Sequence, residues 1–243
     1  MNENNTKIYQ VSTLQALAMG YTKHVVTVSQ LLEHGNTGLG TFENVDGEMI
    51  VVDGHCYRAL EDGRVAEAPG ELGVPFSSVT MLQGQREFEI NDIDNINDLK
   101  ILLNNKVDEG FGLNSMHVVR IDGHFTKLYA RSEVGYESRF LSLKNILSKT
   151  QKDFHFEDID GTLVCIYYPD FMDGINASGW HLHFISADRQ KGGHVFELEL
   201  KSAAAKLDKI SRIEIQLPTD IEFDIYSLKE ASNDEIKQVE QGK

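Results

Sequence analysis

Six Asp-Gly dipeptides, beginning at Asp46, Asp53, Asp62, Asp122, Asp160 and Asp173, divide much of this 243-residue chain into short apolar runs. Glycine adopts positive φ at no steric cost and aspartate tolerates it, so the pair suits the tight turns of β-hairpins. The flanks agree: residues 49–52 and 56–60 around Asp53-Gly54, 116–121 and 125–130 around Asp122-Gly123, and 154–159 and 162–168 around Asp160-Gly161. Each set predicts a hairpin. Consecutive hairpins build antiparallel sheets and disfavour a doubly wound parallel one.

Helical patterns are few and short. Residues 12–19 follow a candidate N-cap, Ser12, and stop at Gly20; residues 29–34 run from Ser29 to Gly35. Residues 96–107 carry Leu99, Leu102 and Leu103 at helical spacing, with a stop at Gly110. Residues 142–149 and a polar segment, 232–241, complete the set. The fold class is therefore α+β, with mostly antiparallel or mixed sheets and helices at their edges. No linker rich in Pro, Gly or Ser interrupts the chain, and a crossing at 138–151 divides it into an N-terminal part, 1–140, and a C-terminal part, 141–243.

Charge narrows the partners. A formal net charge of −15 disfavours nucleic acid and anionic membranes. No apolar run reaches the roughly 20 residues of a membrane span, and the polar start MNENNTKIYQ lacks the plan of a secretory signal. A cytoplasmic location is the expectation, with Cys56 and Cys165 as buried free thiols in apolar runs.

The segment 179–196, GWHLHFISADRQKGGHVF, carries the chemistry. On a strand, His181 and His183 face one way and Leu182 and Phe184 the other. Their Cβ atoms are then roughly 6.5–7 Å apart, a gap that two imidazoles close on one ion. His194, after Gly192-Gly193, is the candidate third ligand of a site with an open position, the pattern of catalytic zinc. Register tests this. A tight hairpin centred on Gln190 sets His194 opposite Ser186, roughly 10 Å along the strand and on the wrong face. A three-histidine site requires His194 opposite or beside His183, with 184–193 as an open excursion. The other six histidines (His24, His34, His55, His117, His124, His155) are scattered and read as structural.

With these residues in place, the chain resembles the acetolactate decarboxylase family over most of its length. The resemblance rests on HGNTGLGTFE (34–43), DGEMIVVDG (46–54) with Tyr57-Arg58, Pro75-Phe76, Tyr129-Ala-Arg131 and the histidine segment. It implies two β-rich lobes around a shared cleft holding the active site, and a homodimer. It also implies release of carbon dioxide from 2-acetolactate to give (R)-acetoin, in acetoin and butanediol biosynthesis. The implied residues are His181, His183 and His194 for Zn2+, Glu48, Arg131 and Glu240 for catalysis, and Thr41 as a lining residue. An arginine suits the departing carboxylate and a carboxylic acid suits protonation of the enediolate; whether Glu48 or Glu240 delivers that proton stays open. Imidazole also suits iron, copper and nickel. Two competing readings are a cupin-like dioxygenase or isomerase, which usually adds a glutamate a few residues after the His-x-His, and a non-enzymatic ligand-binding β module with structural zinc. Residues 184–189 contain no glutamate, and Cys56 and Cys165 offer no paired zinc spacing.

Overall fold

The computed structural model describes residues 6–137 and 141–225. The first strands are β1 (Lys7–Val11), β2 (Val26–Thr27), β3 (Thr37–Thr41), β4 (Glu48–Val52), β5 (His55–Ala59), β6 (Val65–Glu67), β7 (Gly73–Val74) and β8 (Phe76–Thr80). The remainder are β9 (Arg86–Ile93), β10 (Met116–Glu133), β11 (Gln151–Tyr168), β12 (Gly179–Ser186), β13 (Gly192–Ile210) and β14 (Arg212–Gln216). Helices are α1 (Leu14–Ala18), α2 (Val28–Leu32), α3 (Ile96–Asp108), α4 (Leu143–Thr150) and α5 (Ile221–Ile225). The expected helix at 232–241 lies outside the described residues.

One mixed sheet has seven strands in the order β14-β1-β8-β3-β4-β5-β6, with β1 parallel to β14. The second orders β10-β11-β12-β13-β9, and β13 also pairs back onto β10. Four strands thus close a ring: β10 to β11, β11 to β12, β12 to β13, β13 to β10. Pairing crosses the expected division at residue 140, since β10 is bonded to β11 along its length and β1 to β14.

Both faces of the second sheet are covered, and strand alternation decides what each residue meets. Val119, Ile121, Leu163, Cys165, Leu182 and Phe184 pack with Leu99, Leu103 and Val107 of α3. The intervening residues Val118, Val164, Ile166 and Ile185 pack against Ile8, Leu39, Ile50 and Val52 of the first sheet. His181 and His183, in phase with Ile185, therefore turn toward the first sheet. Cys56 and Cys165 are unbridged and sit in different cores, and burial pushes the Cys56 thiol up to about 12.

Two of the predicted hairpins are not hairpins. Asp53-Gly54 does join β4 to β5, with φ of 56° and 80° and Val52 opposite His55. Asp122-Gly123 and Asp160-Gly161 instead lie inside the long strands β10 and β11, where Gly123 faces Gly161. Their glycines serve close approach. A Cβ on Gly123 would stand 2.3 Å from that of Ala203, and one on Gly161 would stand 2.4 Å from the Phe184 ring.

Two helix starts also move. Thr13, not Ser12, caps α1, its Oγ1 accepting from the Ala16 amide at 3.2 Å. Thr27, not Ser29, caps α2, because Thr27 has Gln30 three residues on and the two close a capping box.

Candidate metal centre and active site

The register brings His194 directly opposite His183. The expected open excursion at 184–193 is instead a hairpin. Ile185 and Phe184 pair with Gly192 and Gly193, and residues 187–190 form the turn. Ser186 shapes that turn: its amide donates to the Lys191 carbonyl, and its Oγ accepts from the Gln190 and Lys191 amides at 3.1 and 2.9 Å. A centre between Asp188 and Arg189, rather than on Gln190, is what puts the histidines level.

His194 also faces Arg131 on β10. His183, His194 and Arg131 thus form one row across three adjacent strands, all on the side facing the first sheet, with His181 two residues along from His183. Gly193 makes the crowding feasible, since a Cβ there would lie 2.5 Å from the Arg131 carbonyl oxygen.

His181 Nε2 is 3.1 Å from His183 Nε2 and 3.0 Å from His194 Nδ1, and the last two are 3.3 Å apart. Three ligands at the usual zinc–nitrogen distance in a tetrahedron are about 3.4 Å apart, so the spacing fits one ion. His183 Nδ1 donates to the Met49 carbonyl at 2.8 Å, which leaves Nε2 as the lone-pair nitrogen aimed at the cluster. Burial, helped by the Arg131 charge, pushes His181 down to about 3, and burial holds His183 well below the usual imidazole range. Both are neutral at pH 7, the form that binds metal. Among the described residues this is the one group of His, Cys, Asp or Glu arranged to hold an ion.

The first sheet supplies the opposite wall. Glu48 opens β4 and pairs with Thr41 of β3. Its Oε1 is 3.4 Å from Arg131 Nε and its Oε2 3.4 Å from His183 Nε2, with both partners buried. Thr41 Oγ1 donates to the Gly47 carbonyl at 2.9 Å, fixing the turn that presents Glu48. Arg131 Nη1 donates to Gln151 Oε1 at 2.9 Å. A narrow cleft, partly open to solvent, is lined by Thr41, Glu48, Arg131, His181 and His194 and by an apolar side including Leu17, Phe76, Leu143 and Leu147.

Every described residue singled out in the sequence, namely His181, His183, His194, Glu48, Arg131 and Thr41, comes together here. Glu240 lies outside the described residues. Three residues were missed. Glu133, 1% exposed, lines the same cleft, and its place two residues beyond Arg131 on a strand is the signal that could have found it. Gln151 and Phe196, which touch Arg131, carry no local sequence signal.

Such a centre, with histidines on strands beside a carboxylate and a guanidinium in a small cleft, defines a metal-competent pocket. The family model described as alpha-acetolactate decarboxylase matches residues 8–230. The alpha-acetolactate decarboxylase of Methanosarcina mazei is 35% identical over 239 residues, covering 98% of this chain and 82% of that protein. That of Bacillus licheniformis is 31% identical over 227 residues, covering 92% and 87%. The crystal structure of alpha-acetolactate decarboxylase from Bacillus subtilis superposes with a TM-score of 0.91 at 30% identity, covering 96% of this chain and 99% of that one. The chain belongs to the alpha-acetolactate decarboxylase family and is an enzyme of the carboxy-lyase class.

Proposed function

We propose that this chain converts 2-acetolactate to (R)-acetoin and carbon dioxide, with zinc held by His181, His183 and His194. The observation that carries the reading is the row His183–His194–Arg131, which sets a metal-binding cluster beside a fixed cation. Bound zinc supplies a Lewis acid that stabilises negative charge developing on the substrate oxygens. Arg131 holds the substrate carboxylate, its guanidinium restrained by Gln151 so that the carbon–carbon bond to be broken has a fixed direction. Glu48, between Arg131 and His183, handles the proton that replaces the lost carboxylate, a task that Glu240 can share. Thr41 fixes the turn before Glu48. Leu17, Phe76, Leu143 and Leu147 receive the two methyl groups and keep water from the carbanion.

Among the described residues no helix is long and apolar enough to cross a membrane. A cytoplasmic homodimer forming acetoin for butanediol synthesis completes the reading, on the strength of the family resemblance. The test is acetoin formation from racemic acetolactate before chelation, after it, and after zinc is restored. Activity lost and regained supports the reading; no acetoin from folded, zinc-loaded protein overturns it.

A further inference from the structure

Phe196 stands at an irregularity in the ladder that carries the site. On the β10–β13 pairing, Tyr129 faces Glu197 and Ala130 faces Val195, so Phe196 has no partner across the strands. It is the extra residue of a β-bulge. The core records the phase change: Val195 and Leu198, three apart rather than two, are both buried in the α3-side cluster. Bulges re-aim side chains, and this one lies two residues from His194.

The Phe196 ring meets two groups of the site at once. Its centroid is 5.0 Å from Arg131 Cζ and 4.9 Å from the His194 ring, which is tilted by 59°. Tyr129 backs it at 5.8 Å. An aromatic face attracts a guanidinium without accepting its N–H bonds in the plane, as a carboxylate would. Arg131 is therefore oriented by the ring without using an in-plane N–H donor, beside those that face Gln151 and Glu48. Contact with the imidazole restrains a metal ligand through the same ring.

We propose that Phe196 is a positioning residue that sets both the Arg131 guanidinium and the His194 imidazole, and that the bulge exists to place it. The part concerning the substrate carboxylate rests on the decarboxylase reading; the part concerning the metal does not.

The test uses zinc-loaded full-length protein, with Phe196→Leu and Phe196→Tyr made in the wild-type background and in Arg131→Met. Zinc affinity is read by chelator competition. Binding of 2-hydroxyisobutyrate, which keeps the carboxylate and hydroxyl of the substrate without its ketone, is read by calorimetry. Phe196→Leu is expected to weaken 2-hydroxyisobutyrate binding about tenfold, the scale of one desolvated cation–π contact, and to loosen zinc severalfold. Phe196→Tyr, which keeps the ring, should stay within about twofold of wild type. In Arg131→Met, Phe196→Leu should cost less binding of the acid than it does in the wild-type background, because the share carried through the guanidinium is already gone. Wild-type affinities in Phe196→Leu, or an undiminished loss in Arg131→Met, would overturn the proposal. Thermal unfolding checks each variant for folding, and Phe196→Met replaces Phe196→Leu if the latter melts too low. Acetoin formation by the wild type is measured separately, so failure of the decarboxylase reading is not mistaken for failure at Phe196.

Discussion

Glu48 sits within 3.4 Å of both a guanidinium nitrogen and an imidazole nitrogen of the metal cluster, in a place where water barely reaches it. On the proposed reading it serves charge and proton transfer rather than holding the ion. Glu48→Gln should keep its metal yet slow turnover by about 100-fold or more, the usual scale for loss of a general acid or base. Metal analysis beside steady-state rates checks it, and an undiminished rate removes Glu48 from the mechanism. Away from the cleft, His117 is fully buried between Phe111 and Tyr167, with Nε2 donating to the Gly112 carbonyl. Burial pushes it down to about 4, whereas in the unfolded chain it titrates near 6.5. Above pH 6.5 both states are neutral and the stability is fully present. As pH falls from 6.5 toward 4 the unfolded state alone takes up the proton, and about 3 kcal/mol is lost. Urea unfolding of zinc-loaded protein at pH 7 and pH 4.5 should show a shallower decline for His117→Gln than for wild type.

At the scale of elements, the same dipeptide does two different jobs. Gly54 closes a hairpin at φ 80° with nothing within 4 Å of an added Cβ, so Gly54→Ala should cost about 1 kcal/mol of backbone strain. Gly123→Ala drives a methyl into the Ala203 side chain and the Ser202 carbonyl, and overpacking of that kind costs about 1–3 kcal/mol. Denaturant midpoints of the two variants should therefore fall in the order Gly54→Ala above Gly123→Ala. This double use explains what was legible in the sequence. Asp53-Gly54 read correctly because the chain reverses locally there. Asp122-Gly123 and Asp160-Gly161 misled because their glycines answer to Ala203 and Phe184, partners far along the chain. The requirement that His194 lie beside His183 followed from alternation alone, but the position of the turn that meets it depends on Ser186. Arg131 stands opposite His194 across 63 residues of sequence, and no local pattern announces that pairing or the bulge at Phe196.

For the molecule as a whole, the proposed metal links binding to folding, since an ion held by the native cluster but not by the unfolded chain adds stability by mass action. With free zinc at about 1,000 times its dissociation constant the gain is about 4 kcal/mol. Chelation should therefore lower the melting temperature of the wild type, while a chain with His183→Ala and His194→Ala should melt at the same temperature with and without chelator. Equal melting of wild type with and without zinc would remove the linkage.

The ring of strands closes where β13 enters between β12 and β10, and the functional row sits on that seam. This orders events in time. A nascent chain that has emerged as far as β12 already carries Glu48, Arg131, His181 and His183, but it has no third ligand and nothing to bring Arg131 alongside the other two. The last long strand is the one that turns a scattered set of side chains into a centre, so on the proposed reading tight uptake of the ion reports that the ring has closed.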